Sequence, residues 1–138
     1  MVVTETRHIE TSGQGDAHDV TGRVAALIQR SSLTSGLATV SVIGSTAGIT
    51  TIEFEPGAVA DLNAVFERLA PRDGEYAHHR RWGDDNGSSH VRAALLGPSV
   101  SVPFDRGELL LGTWQQIMLL ELDTRPRRRA LVLQLIGE

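Results

Sequence analysis

The last third of the chain sets the tightest limit on its fold. Four aliphatic runs, Val100 to Phe104, Glu108 to Leu111, Trp114 to Leu122 and Arg129 to Ile136, follow one another with only short breaks between them. Each is too short for a buried helix and reads as a strand. The break at Asp105-Arg106-Gly107 supplies a turn with glycine where a positive φ is wanted. Strands joined so closely pair antiparallel, because a parallel return needs a crossover of a dozen or more residues. Glu121 lies inside the apolar run Ile117-Met118-Leu119-Leu120-Glu121-Leu122, where a carboxylate is costly to bury unpaired.

The remainder adds helices to that sheet. Val2 to Glu10 alternates as a strand, and Ser12-Gly13-Gln14-Gly15-Asp16 breaks it. A helix then starts near Asp16 or Asp19, with Val20, Val24, Leu27 and Ile28 at helical spacing, and ends around Arg30-Ser31-Ser32. Ala38 to Ile43 and Ile49 to Phe54 are strands flanking the small-residue segment Gly44-Ser45-Thr46-Ala47-Gly48. A second helix spans about Ala58 to Leu69 and stops at Pro71. Pro71 to Ser89 is polar and aperiodic, a loop of the length that usually forms a lid or a site, and Val91 to Leu96 follows as a short helix or strand. Two helices among about seven strands indicate an α+β domain with antiparallel sheets, and 138 residues make one domain, 1–138. Aromatic residues are 4% of the chain, so aliphatic side chains fill the core.

Two absences narrow the chemistry. Without cysteine there are no disulfides, zinc–thiolate clusters, iron–sulfur centres or thiol nucleophiles. The basic residues are all arginine, which removes Schiff-base chemistry and the lysine of a phosphate-binding P-loop. Acid–base and metal work falls to His8, His18, His78, His79, His90 and the carboxylates. A net charge of −4 argues against a nucleic-acid partner. Arg125, Arg127, Arg128 and Arg129 read as a solvated turn or an intersubunit contact, with phosphate binding the other reading. No apolar stretch approaches the ~20 residues of a membrane span, and the N-terminus lacks a signal-peptide pattern, so a cytoplasmic location is expected.

The densest chemical cluster runs from Tyr76 to His90, with three histidines, the acids Asp84 and Asp85, Asn86 and the arginines Arg80 and Arg81. Imidazole and carboxylate together suit a transition-type divalent cation, or one histidine is a general base oriented by a carboxylate. Adjacent His78 and His79 on an extended backbone point oppositely, so one of them serves. In the Gly44–Gly48 segment, small residues let backbone N–H groups face an anion while Ser45 and Thr46 add hydroxyls; a plain bend is the other reading. Trp114 and Gln115, after Gly112, are a further candidate ligand contact or an ordinary interface.

Ser89-His90-Val91-Arg92-Ala93-Ala94-Leu95-Leu96-Gly97-Pro98-Ser99, then Gly112-Thr113-Trp114-Gln115-Gln116-Ile117, Arg127-Arg128-Arg129 and Ile136-Gly137-Glu138 together resemble the YjbQ family, also called UPF0047. Ser45-Thr46-Ala47-Gly48-Ile49-Thr50 and Tyr76-Ala77-His78 fall at the expected places, so the resemblance covers essentially the whole chain. It implies two antiparallel sheets packed as a sandwich with two main helices, assembly as a homotrimer, and a weak thiamine-phosphate-synthase-like activity. That reaction joins a pyrimidine pyrophosphate to a thiazole phosphate and releases pyrophosphate. A non-catalytic trimeric binder of a small phosphorylated metabolite, or a metal-dependent hydrolase, is the alternative. The resemblance makes His78 and His90 the polar centre of the site. The expected catalytic set is His90, His78 and Asp84, the same three holding a divalent metal, magnesium or zinc. Ser45, Thr46, Asn86, Arg81, Trp114 and Gln115 are the expected ligand contacts, with Arg92 the alternative to Arg81 for a phosphate. Many relatives have histidine where this chain has Gly44, and some where it has Ser88, so a partner subunit, Asp84 or Asp85 must complete any metal shell.

Overall fold

The computed structural model describes residues 1–138, and its organising strand is the one with the least alternation. Along Gln116–Glu121, successive side chains point to opposite faces, yet Ile117, Met118, Leu119 and Leu120 are all buried. Ile117 and Leu119 enter one apolar cluster; Met118 and Leu120 enter another. A strand covered on both faces has no reason to alternate.

In chain order the elements are β1 (Val2–Glu10), β2 (Ala17–Asp19), α1 (Thr21–Ser31), β3 (Ser35–Ile43), β4 (Ala47–Ile52), α2 (Pro56–Leu69), α3 (Ala77–Trp82), α4 (Gly87–Leu96), β5 (Ser99–Asp105), β6 (Glu108–Leu109), β7 (Gln116–Glu121) and β8 (Arg128–Gly137). Two antiparallel sheets form, a five-stranded one in the order β1-β8-β3-β5-β6 and a three-stranded one in the order β2-β7-β4. The larger cluster lies between them, where Val40, Val42, Leu131, Leu133 and Phe104 meet Ile49, Ile117 and Leu119, with Val24, Leu27 and Ile28 of α1 added. The smaller cluster, with Phe66 of α2 and Ala93 of α4, covers the other face of the three-stranded sheet. The fold is the α+β arrangement with two antiparallel sheets that the sequence implies, with four helices.

Local chemistry fixes the boundaries. Glu55 caps α2 by accepting from the N–H groups of Gly57 at 2.8 Å and Ala58 at 2.6 Å, with Pro56 at the first turn. Those two N–H donors hold the Glu55 carboxyl below its ordinary range. The helix expected from Asp16 or Asp19 begins at Thr21, because Ala17–Asp19 pairs with β7 first; the Asp19 carboxylate then accepts from Thr21 N–H at 2.9 Å. The β5–β6 connection has positive φ at both Arg106 (53°) and Gly107 (75°), the requirement of the tight hairpin turn whose twist matches its strands.

One expectation is overturned. The stretch from Pro71 to Ser89 is not a long loop: it holds α3 and the first turn of α4. Gly87, Ser88 and Ser89 are poor helix formers, but all three are buried, and only small side chains fit there. A Cβ on Gly87 would come within 2.5 Å of Tyr76 Cβ.

Candidate functional site

Packing of α3 against α4 decides which histidines meet. His79 Nε2 accepts the Gly87 N–H at 2.9 Å and its ring sits edge-on to Tyr76, so His79 is spent holding the two helices together. His78, one helical step away, turns to His90 on α4, with ring centroids 4.4 Å apart. The two histidines are successive residues of a helix, about 100° apart around its axis, and not on the extended backbone expected.

His90 then lines a cleft of about 250 Å³ with Gly44, Ser45 and Ala47 of the β3–β4 bend, Ala93 and Ala94 of α4, and Pro98. Gly48 permits this closeness. A Cβ there would lie 2.5 Å from Leu96 Cδ2 and 3.0 Å from Gly97 O, so glycine lets α4 pack on β4. The walls are small and mostly apolar, with His90 and Ser45 the two lining residues that carry polar side chains. A larger hollow of about 410 Å³ opens at Gly74, Glu75, Tyr76, His79 and Arg80, but its histidine is the one already bonded to Gly87.

Asp84 and Asn86 approach from behind His78. Asp84 Oδ1 lies 3.0 Å from His78 Nδ1 but off the direction of a ring N–H, so Nδ1 is buried beside a carboxylate without a hydrogen bond to it. With its amide nitrogen turned to Asp84, Asn86 lies 3.2 Å from both carboxylate oxygens and donates to them. His78 and Asp84 suit a metal in donor type, but no three His, Asp or Glu side chains of one chain converge as a metal-holding group. His90 also lies against His78, and a magnesium or zinc shell here would need ligands beyond these three residues.

The other expected contacts fall elsewhere. Thr46 is buried; its hydroxyl donates to Asp123 Oδ2 at 3.0 Å and accepts from Arg129 Nη2 at 2.7 Å, so it faces inward while Ser45 faces the cleft. Arg92 is likewise committed, through Nε to Ala70 O at 3.0 Å and Nη2 to Glu67 Oε2 at 2.6 Å. Arg81 lies over the Trp82 ring at 5.6 Å. Trp114, 71% exposed, and Gln115, which donates to Thr51 Oγ1, sit at the far end of the β4–β7 ladder. There Ile52 pairs with Gln116, five positions from the Ala47–Glu121 pair at the bend, roughly 17 Å along a strand.

Beneath the bend is a polar network that pattern reading missed. Glu121, fully buried, accepts from Thr11 Oγ1 (2.6 Å), Arg129 Nε (2.7 Å) and Nη2 (2.5 Å), and the N–H groups of Leu122 (3.0 Å) and Asp123 (2.9 Å). Arg129, read as part of a solvated basic turn, is 3% exposed. Burial pushes the neighbouring Asp123 carboxyl upward, but the Thr46 hydroxyl, the Thr124 N–H and the Arg127 charge outweigh it and hold it below its ordinary range. A lone acid in an apolar strand and an arginine opening the next strand were the available signals.

Comparison with known proteins gives a consistent result. The sequence model of the family described as UPF0047 protein YjbQ-like matches residues 5–138. A UPF0047 protein of Methanothermobacter thermautotrophicus is 34% identical over 137 residues, 99% of this chain and 94% of that protein. The UPF0047 protein YugU of Bacillus subtilis is 32% identical, covering 96% and 98%. Among solved structures, a YbjQ-like protein of unknown function from Sulfolobus solfataricus superposes with a TM-score of 0.88 at 28% identity over the full length of both chains. A YjbQ/UPF0047 protein of Clostridium acetobutylicum gives 0.85 at 29% identity, covering 96% and 99%.

Proposed function

The chain belongs to the YjbQ-like UPF0047 family, and from that premise we propose that the His90 cleft binds a small phosphorylated metabolite and carries a weak thiamine-phosphate-synthase-like transfer. The observation that supports this reading is the meeting of His90, backed by His78, with the Gly44–Ala47 bend in one small cleft. In the reaction, the thiazole nitrogen forms a C–N bond as the C–O bond to pyrophosphate breaks, and the pyrophosphate leaves with the electron pair. That departure builds negative charge, which fixed donors stabilise best when water is excluded. His90 and the Ser45 hydroxyl are the cleft's donors; Ala93, Ala94 and Pro98 offer apolar surface to a flat ring. Asp84, held by Asn86, sets a negative charge 3.0 Å from the Nδ1 of His78, whose ring packs against His90.

Assembly as a homotrimer belongs to the same proposal. Register places Val2, Ile136, Leu37 and Pro103 side by side across four strands on the outer face of the five-stranded sheet, and all four are exposed. An apolar row of that kind is the sort of surface a second copy covers. No helix is long and apolar enough to cross a membrane.

His90→Ala assayed with both substrates tests the transfer. A loss of about 100-fold or more is expected for a group that handles a proton or charge in the transition state. Unchanged turnover overturns that role, and wild-type binding of both substrates without product favours the non-catalytic binder.

A further inference from the structure

Arg129 keeps one donor in reserve. Its Nε and Nη2 are committed to Glu121, Thr46 O (2.9 Å) and Thr46 Oγ1, while Nη1 has no hydrogen-bond partner in the protein. Nor is Nη1 sealed inside, since the buried polar atoms without partners are His78 Nδ1 and Ser89 Oγ. It sits against Gly44, where a Cβ would come within 2.9 Å of it, and Gly44 holds a φ of +139° that favours glycine. A nine-tenths buried arginine therefore presents one free nitrogen, Nη1, against Gly44, which lines the His90 cleft.

The geometry points to an oxyanion subsite at this corner: Arg129 Nη1 and the Gly44–Ser45 backbone receive a phosphoryl group, of a phosphate ester, a pyrophosphate or inorganic phosphate. The inference rests on the cleft being the ligand site and adds which end of the ligand goes where. Two features support an anion over a neutral group. The free Nη1 can give a phosphate oxygen a charge-assisted hydrogen bond, stronger than one to a neutral acceptor. The Glu121 carboxylate is shared among five donors, two of them backbone N–H groups and one a hydroxyl, so the guanidinium is not its sole partner. Asp123 and Glu121 balance the charges of Arg129 and Arg127 in the network, so hydrogen-bond fit rather than net positive field selects the ligand. Chloride should therefore compete poorly with phosphate.

The probe is inorganic phosphate, titrated into the wild-type protein while the Arg129 guanidinium and His90 ring are followed by NMR. Saturable movement of both resonances is expected. Movement of His90 without Arg129 overturns the subsite and leaves the cleft reading intact; movement of neither overturns the subsite as well. Gly44→Ala, whose methyl would occupy the space next to Nη1, should weaken phosphate binding at least tenfold. Its Arg129–Glu121 signals are recorded in parallel, because the backbone there is strained by any side chain. Unchanged phosphate affinity in a folded Gly44→Ala protein also overturns the proposal, and if that variant does not fold the wild-type titration decides.

Discussion

Glu121 shows how one residue ties the two sheets together. Its carboxylate lies on β7 of the smaller sheet, its arginine on β8 of the larger, and Thr46 on the bend takes the other side of that arginine. Removing one partner of a buried pair leaves the other charge uncompensated. Glu121→Gln should therefore cost about 3–5 kcal/mol of unfolding free energy, read from urea denaturation; a cost within the range of a surface change would refute the pairing's role. Asp123 adds acid sensitivity. Its folded-state carboxyl is held below the ordinary 3.8, so the stabilisation is complete above that value and is lost as pH falls through and below it. Asp123→Asn should flatten the fall in melting temperature below about pH 4, whereas an unchanged slope would place the acid response elsewhere. The sequence warned that Glu121 needed a partner. Strand alternation puts Arg129 on the face of Leu131, Leu133 and Leu135, a signal masked by its place in the charged run Arg125 to Arg129.

Strand and helix period made most elements readable. Alternation marked β1 and β8, and the apolar stripes marked α1 and α2. The continuous apolar run of β7 is the instructive case. A run with no polar face could be covered by a second subunit, but here α2 and α4 cover it from within. That run therefore says nothing about assembly. The first turn of α4 was hidden, although Val91 to Leu96 read as a short helix or strand, because its small, weakly helix-forming residues were chosen by packing instead of propensity. Gly87 is the most exacting of them. Gly87→Ala would push a methyl into Tyr76 and His79, so it should destabilise by about 1–3 kcal/mol and separate the His78 and His90 rings. Histidine ring resonances identical to wild type would show that the α3–α4 seam does not set their spacing.

At the scale of the molecule, the sandwich brings Gly44, Ser45, Ala47 and His90 to one cleft, with His78 against His90, although they are far apart in sequence. Trp114, Gln115 and Arg81 were expected there too, but residue type alone does not report that they sit at the far end of a ladder or on a neighbouring ring. The apolar row Val2–Ile136–Leu37–Pro103 carries the assembly proposal. Sedimentation at micromolar concentration should return about three times 14.9 kDa, and Leu37→Arg should shift it toward the monomer; a monomeric wild type would end the trimer reading. The central claim is that the cleft between α4 and the β3–β4 bend is where the ligand goes. A crystal structure grown with the pyrimidine pyrophosphate tests it most directly. The ligand should lie against His90, its ring on Ala93 and Ala94 and its phosphates at Gly44–Ser45; an ordered ligand bound elsewhere, with that cleft holding solvent alone, would contradict it.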